Sequence, residues 1–532
     1  MSRTGPDAVD VYDTTLRDGA QQEGLSLSVG DKLTIAGYLD ELGVDYIEGG
    51  WPGAIPKDTE FFARAARDLT LHHAVLAAFG ATRRPGATAE ADPQVRALLD
   101  SQAQVVTLVA KSHGRHVEAA LRTTLHENLA MVRDTVRFLT AEGRRVFLDA
   151  EHFFDGYAAD PAYAVEVVRT AAEAGAEVVA LCDTNGGMLP PGVAEAVAQV
   201  LEATGVRLGI HCHNDTGCAV ANSLAAVEAG ATHVQGTLNG YGERTGNADL
   251  LTVVANLVLK AGRPVLDPSR LQEATRIAHA VSEVTNVVPY SRQPYVGASA
   301  FAHKAGLHAS AIRVDPDLYQ HTDPKAVGND MRMLVSDMAG RASIELKGRE
   351  LGYDLGGSPE VLARVTDRVK ALEARGYTFE AADASFELLL REEVEGERAT
   401  LFDVESWRVI TEHRPERGDA VSEATVKLLA AGRRLVATGE GNGPVNALDH
   451  ALREALLPAY PELARLELID FRVRILDAAH GTDAVTRVLI ETSDGTTSWE
   501  TVGVAANIVE ASWEALVDGI VYGLLRQGVQ RR

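Results

Sequence analysis

Eight times between residue 8 and about residue 262, a short apolar run is followed by a longer amphipathic segment, and this alternation limits the fold more than any other feature. The runs lie at residues 9–12, 45–48, 73–78, 104–109, 146–149, 177–182, 207–211 and 233–237. Helical spacing follows at 32–42, 125–141, 161–174 and 219–229, and Gly43, Gly143, Gly175 and Gly230 stand where a helix prefers a left-handed terminus. Strands that alternate with helices form a parallel sheet, because a parallel neighbour needs a long crossover. Eight such units in about 255 residues predict an α/β fold, a (β/α)8 TIM barrel. A doubly wound sheet, the competing architecture, normally stops at about five to seven strands.

In such a barrel the chemistry sits at the carboxyl ends of the strands. Those positions carry a recurring polar set: Asp13-Thr14-Thr15-Leu16-Arg17-Asp18 after the first strand, Glu48 after the second, Thr107 on the fourth and Asp149-Ala150-Glu151 after the fifth. Cys182-Asp183-Thr184 follows the sixth, His211-Cys212-His213 the seventh, and Gly240 to Asn247 lies beyond the eighth. A strand places residues i and i+2 on one face, so His211 and His213 present two imidazoles to one point while Cys212 turns away. Two imidazoles together with a carboxylate suit a divalent cation.

Composition narrows the functions. At 532 residues, two or three domains are expected. A net charge of −24 argues against nucleic-acid binding, which needs concentrated Lys and Arg. No apolar run reaches the roughly 18 residues of a membrane span, and Met1 to Pro6 lead into a strand without an apolar segment, so a cytoplasmic protein is expected. Cys182, Cys212 and Cys218 are too few for a disulfide framework and read as reduced thiols, with Cys182 the one placed to line a site.

Three runs carry a resemblance. D-T-T-L-R-D-G-A-Q-Q from Asp13, H-C-H-N-D from His211 and G-Y-G-E-R-T-G-N-A from Gly240 resemble the signatures of the isopropylmalate, homocitrate and citramalate synthases, acetyl-CoA-dependent enzymes of the DRE-TIM metallolyase superfamily. The resemblance implies a divalent metal (Mn2+, Mg2+ or Zn2+) held by Asp18, His211 and His213, with Asn247 at or near it. It implies Arg17 at the developing oxyanion, Thr184 on the substrate carboxylate, Glu151 as an acid/base or orienting group, and Glu48 and Thr107 beside the substrate. It also maps a catalytic histidine to His308 and its supporting tyrosine to Tyr319, in linker subdomains that reach over the partner's barrel mouth in a homodimer.

Within the family, Glu48-Gly49-Gly50-Trp51-Pro52-Gly53 and the run from Trp499 look like the citramalate branch, which uses pyruvate; the isopropylmalate branch, using 2-oxoisovalerate, is the alternative. Asp18, where homocitrate synthases tend to carry Glu, counts against that branch. Pyruvate's small methyl calls for bulky apolar closure, with Phe79, Leu108 and Phe153 as candidates. Lys111, Arg83 and Arg84 are the cations expected near CoA. A lyase of the superfamily needs a cysteine in the loop after the eighth strand, and residues 236–250 contain none. A non-enzymatic amino-acid sensor is the remaining competitor.

The expected organisation is a catalytic barrel over 1–285, linker subdomains over 286–398 and an α+β regulatory domain over 399–532. In the last, hairpins turning at Ala431-Gly432 and Asp494-Gly495, each followed by a helix (445–457 and 508–525), form two similar modules. The resemblance implies that this domain binds an end-product amino acid, isoleucine, as a feedback inhibitor.

Overall fold

The computed structural model describes residues 8–336, 340–414, 419–476 and 484–530. β1 (Asp10–Asp13), β2 (Tyr46–Gly50), β3 (Val75–Ala81), β4 (Val105–Lys111), β5 (Arg145–Glu151), β6 (Val178–Asp183), β7 (Leu208–Cys212) and β8 (His233–Gly236) pair in chain order, and β8 closes in parallel on β1. The sheet is a closed barrel, and each of the eight expected runs is one of its strands.

Strand periodicity sorts the side chains into two cores. Outward residues such as Val11, Ile47, Val106, Leu148 and Ile210 pack against the helical layer. Inward residues Tyr12, Tyr46, Ala77, Val105, Phe147 and Val178 plug the barrel interior. Two residues further along β2, β4 and β5 the inward positions turn polar, with Glu48, Thr107 and Asp149, and His211 on β7 and Gln235 on β8 join them, all buried. The plug is therefore apolar at its base and polar toward the carboxyl ends.

The helices begin and end where local chemistry dictates. Helix Val29–Leu42 starts with a capping box between Ser28 and Asp31 and ends at Gly43, with φ +90°. Helices Leu125–Ala141 and Pro161–Ala174 have the expected bounds. No described helix is long and apolar enough to cross a membrane.

Contacts divide the chain into two units, residues 1–301 with 322–330, and residues 302–321 with 331–532. In the second unit, β9 (Ala302–His303) and β10 (Arg332–Met333) make a short parallel pair. Helices Arg341–Glu350, Pro359–Ala374 and Asp383–Glu395 precede the two modules.

Each module is a three-stranded antiparallel sheet followed by a helix. The first has β11 (Phe402–Arg414), β12 (Asp419–Ala430), β13 (Arg433–Gly441) and helix Pro444–Leu456; the second has β14 (Glu467–Ile475), β15 (Thr486–Ser493), β16 (Ser498–Ala505) and helix Ile508–Arg526. β12–β13 and β15–β16 are the two expected hairpins; β11 is an additional edge strand. Helix Ile508–Arg526 covers β15 and β16, whereas Phe471, Val473 and Ile475 of edge strand β14 are 37%, 43% and 58% exposed. These three residues lie opposite Ile490, Val488 and Thr486, which are buried, so the apolar face continues past the helix that covers it.

Candidate active site

At the carboxyl end of the barrel, Asp18 Oδ2 stands 3.3 Å from His211 Nε2 and 3.6 Å from His213 Nε2. All three residues are buried, and one ligand atom from each lies within 4.8 Å of the others. Cys212, between the histidines, points into the outer core, as its strand parity requires. His213 bridges to Asn247 through the backbone. Asn247 Nδ2 donates to the Tyr241 carbonyl at 3.1 Å, while Asn247 Oδ1 and His213 Nδ1 have no hydrogen-bond partner among the described residues. An unpaired buried acceptor beside two imidazoles and a carboxylate fits a divalent cation.

Electrostatics agree with a charged centre. Burial would raise the Asp18 pKa, but Arg17, His211 and His213 hold it well below the usual carboxylate range. Burial would lower His211, and the hydrogen bond and charge of Asp18 carry it above its ordinary value. His213 is pushed down to about 4, by burial first and then by the neighbouring His211.

Arg17 extends from the loop after β1 with its Nε donating to Glu48 Oε2 at 2.6 Å and a terminal nitrogen 3.6 Å from Asp18. Its guanidinium carbon lies 3.9 Å from the centre of the Phe79 ring, which meets Trp51 edge-on at 5.2 Å. Glu48 is fully enclosed: Oε1 accepts from the Tyr12 hydroxyl at 2.7 Å, and Oε2 accepts from Thr14 at 2.5 Å as well as from Arg17. Thr107 pairs with the Tyr12 hydroxyl at 2.7 Å. Glu48 and Thr107, expected beside the substrate, are fully buried and are not among the residues that line the cavity.

That cavity measures about 510 Å³ and is walled by Arg17, Trp51, Phe79, Glu151, Cys182 and Thr184, among others. Glu151 pairs with Lys111. The Thr184 hydroxyl oxygen accepts from the His152 amide at 2.8 Å, which leaves its proton free to donate. Of the bulky residues expected to close the pocket, Phe79 does so; Leu108 and Phe153 point the other way, into the outer core. Arg83, expected near CoA, is buried in ion pairs with Glu127 and Asp134, while Lys111 and Arg84 also border the cavity. His308 and Tyr319 belong to the second unit, where their rings stack at 4.1 Å.

Three participants have no role assigned from the sequence. Trp51 was read only as part of a motif, although it forms the cavity wall with Phe79. Asp149 lines the cavity, and burial, reinforced by Glu48, raises it to about 6. Gln235, on β8, links Asp149 to His211. Strand parity could have found it, since it points inward two residues after His233, but it lies within the eighth apolar run and not in the polar set beyond it.

Residues 8–281 match the HMGL-like family model, residues 295–377 the model described as homocitrate synthase post-HMGL domain-like, and residues 380–524 the LeuA allosteric (dimerisation) domain. The chain is 68% identical over 523 residues to a Streptomyces coelicolor protein named (R)-citramalate synthase, covering 98% of each. A Synechocystis protein of the same name is 48% identical, over 97% of this chain and 96% of that one. A 2-isopropylmalate synthase from Methanocaldococcus jannaschii is 31% identical, over 97% of this chain and 94% of that one. By the extent and level of this identity, the chain belongs to the (R)-citramalate synthase family, built on an HMGL-like barrel.

Proposed function

We propose that the protein condenses acetyl-CoA with pyruvate and water to give (R)-citramalate and CoA. The observation that carries this reading is the convergence of Asp18, His211 and His213 beside Arg17, at a cavity closed on one side by Phe79 and Trp51. A bound divalent cation, Mn2+, Mg2+ or Zn2+, would supply Lewis acidity toward the oxoacid carbonyl and hold its carboxylate in place. Asp18, His211 and His213 would hold it, with Asn247 Oδ1 as a further oxygen donor.

The remaining steps fall to side chains. The Thr184 hydroxyl donates to the pyruvate carboxylate, and Phe79 and Trp51 close around its methyl group. A base takes a proton from the acetyl methyl, and the resulting carbanion forms a bond to the keto carbon; His308, supported by Tyr319, is assigned as that base. Arg17, held by Glu48, stabilises the oxyanion that appears as the carbonyl bond opens. Glu151, paired with Lys111, returns a proton or orients the substrate. Water then cleaves the thioester and releases CoA as its thiol. The dimerisation-domain match supports a homodimer, and isoleucine is the proposed feedback inhibitor.

Thiol release from acetyl-CoA, measured with divalent metal against pyruvate, 2-oxoisovalerate and 2-oxoglutarate in parallel, tests the reading. Pyruvate should be preferred; preference for 2-oxoisovalerate would overturn the assignment, and no release with any oxoacid would favour a sensor. His213→Ala should abolish turnover with the fold retained. Isoleucine should inhibit the intact protein, and insensitivity to it would remove that role.

A further inference from the structure

We propose that Asp149 and Gln235 are positioning residues of the metal centre, a buried relay that fixes the ring orientation and proton placement of His211. The proposal rests on reading Asp18, His211 and His213 as a metal site. Gln235 is fully buried on β8, directly beside His211 in the β7–β8 register. Its side-chain amide is held at both ends: Nε2 lies 2.9 Å from Asp149 Oδ1, and Oε1 lies 3.1 Å from His211 Nδ1.

The direction of each bond follows from what the groups can do. A carboxylate only accepts, so the amide nitrogen must face Asp149 and the amide oxygen must face His211. An amide oxygen also only accepts, so His211 carries a proton on Nδ1. The other ring nitrogen, Nε2, is the one 3.3 Å from Asp18; with a cation bound, its lone pair would face the cation while the Nδ1 proton stays directed at Gln235 Oε1. The Gln235 amide nitrogen also lies 3.4 Å from His233 Nε2, which gives its second hydrogen an acceptor. Both ends of the relay therefore have chemically determined partners.

The two histidines differ in this respect. His213 Nδ1 has no hydrogen-bond partner among the described residues, whereas His211 Nδ1 is anchored through Gln235 to the buried carboxylate of Asp149. An apolar residue of similar volume at position 235 would fill the same space and satisfy packing. It would leave both Asp149 Oδ1 and His211 Nδ1 without this link, so a filler role does not account for an amide there.

Mn2+ titration of the metal-stripped full-length protein, followed by electron paramagnetic resonance without substrate, separates the alternatives. Gln235→Leu should weaken Mn2+ binding by about 10- to 100-fold while the melting temperature of the apoprotein stays near that of the parent. Affinity within threefold of the parent overturns the relay, whatever happens to melting. If Gln235→Leu shows no cooperative melting, Asp149→Ala takes its place: at least about fivefold weaker binding is expected, and unchanged affinity overturns the relay. A parent protein that binds no Mn2+ would instead sink the metal-site reading and the relay with it.

Discussion

Arg17 donates from Nε to Glu48 Oε2 at 2.6 Å, and this contact joins the cavity floor to the polar top of the barrel plug. Glu48 accepts from Tyr12, Thr14 and Arg17 with no exposure to solvent, so its charge balances that of Arg17. Burial opposes a charged guanidinium, yet the charges of Glu48 and Asp18 hold Arg17 firmly protonated. Glu48→Gln would place an amide donor among three existing donors and leave Arg17 with Asp18, 3.6 Å away, in place of its nearest counter-charge. Breaking a buried pair costs about 3–5 kcal/mol, so kcat/KM for pyruvate should fall by about 100-fold or more. Steady-state CoA release, with a melting curve as control, checks this; activity within threefold of the parent would show that Arg17 needs no partner.

Phe79 supports Arg17 and forms the cavity wall with Trp51. Phe79→Ala removes both functions. Turnover of pyruvate should drop by at least about tenfold, while the ratio of kcat/KM for 2-oxoisovalerate over pyruvate should rise about tenfold or more, in line with 1–3 kcal/mol per methylene accommodated. Parallel assays with the two oxoacids read the ratio. A ratio that does not move would place the specificity wall elsewhere.

Along β14 the apolar residues Phe471, Val473 and Ile475 extend past the helix that covers the rest of their sheet face. An uncovered apolar edge in a domain matching a dimerisation model is suited to a second copy of the chain. Val473→Asp should shift the protein toward monomer, as read by light scattering on a sizing column across a dilution series. An unchanged dimer would exclude this edge from the interface.

Asp518, in helix Ile508–Arg526, is buried, and desolvation raises it to about 6 against the opposing pull of Arg398, 2.5 Å away. Its folded pKa therefore lies above the unfolded value of about 3.9, so the protonated form is favoured by folding. The stabilisation is fully present below about pH 4 and is lost as pH rises through about 6, by at most about 3 kcal/mol. Asp518→Asn should remove this dependence. Urea unfolding followed by tryptophan fluorescence reports mainly on the second unit, which holds Trp407, Trp499 and Trp513. Between pH 5 and pH 8 the parent midpoint should fall relative to the variant; parallel curves would refute the assignment.

The barrel was legible because its signal is repeated. Eight apolar runs and their intervening amphipathic segments each stated the same local preference, and glycines at Gly43 and Gly175 marked helix ends where only a left-handed residue fits well. The edge strand β11 was less legible, since Glu405, Arg408 and Glu412 interrupt its apolar residues on the exposed side.

At the site, the sequence by itself determined the ligand types and their spacing. His211 and His213 share a face because a strand repeats every two residues, and Asp18 follows the strand that a closed barrel must bring beside β8. Tertiary structure alone decided depth and partnership. Glu48 and Thr107 stand at strand positions as eligible as those of Glu151 and Thr184, yet the tilt and stagger of the strands keep the first pair off the cavity wall and set the second pair on it. The pairing of Gln235 with Asp149, 86 residues apart, was equally invisible, because hydrogen bonding depends on separation and angle in space, which a linear pattern does not contain.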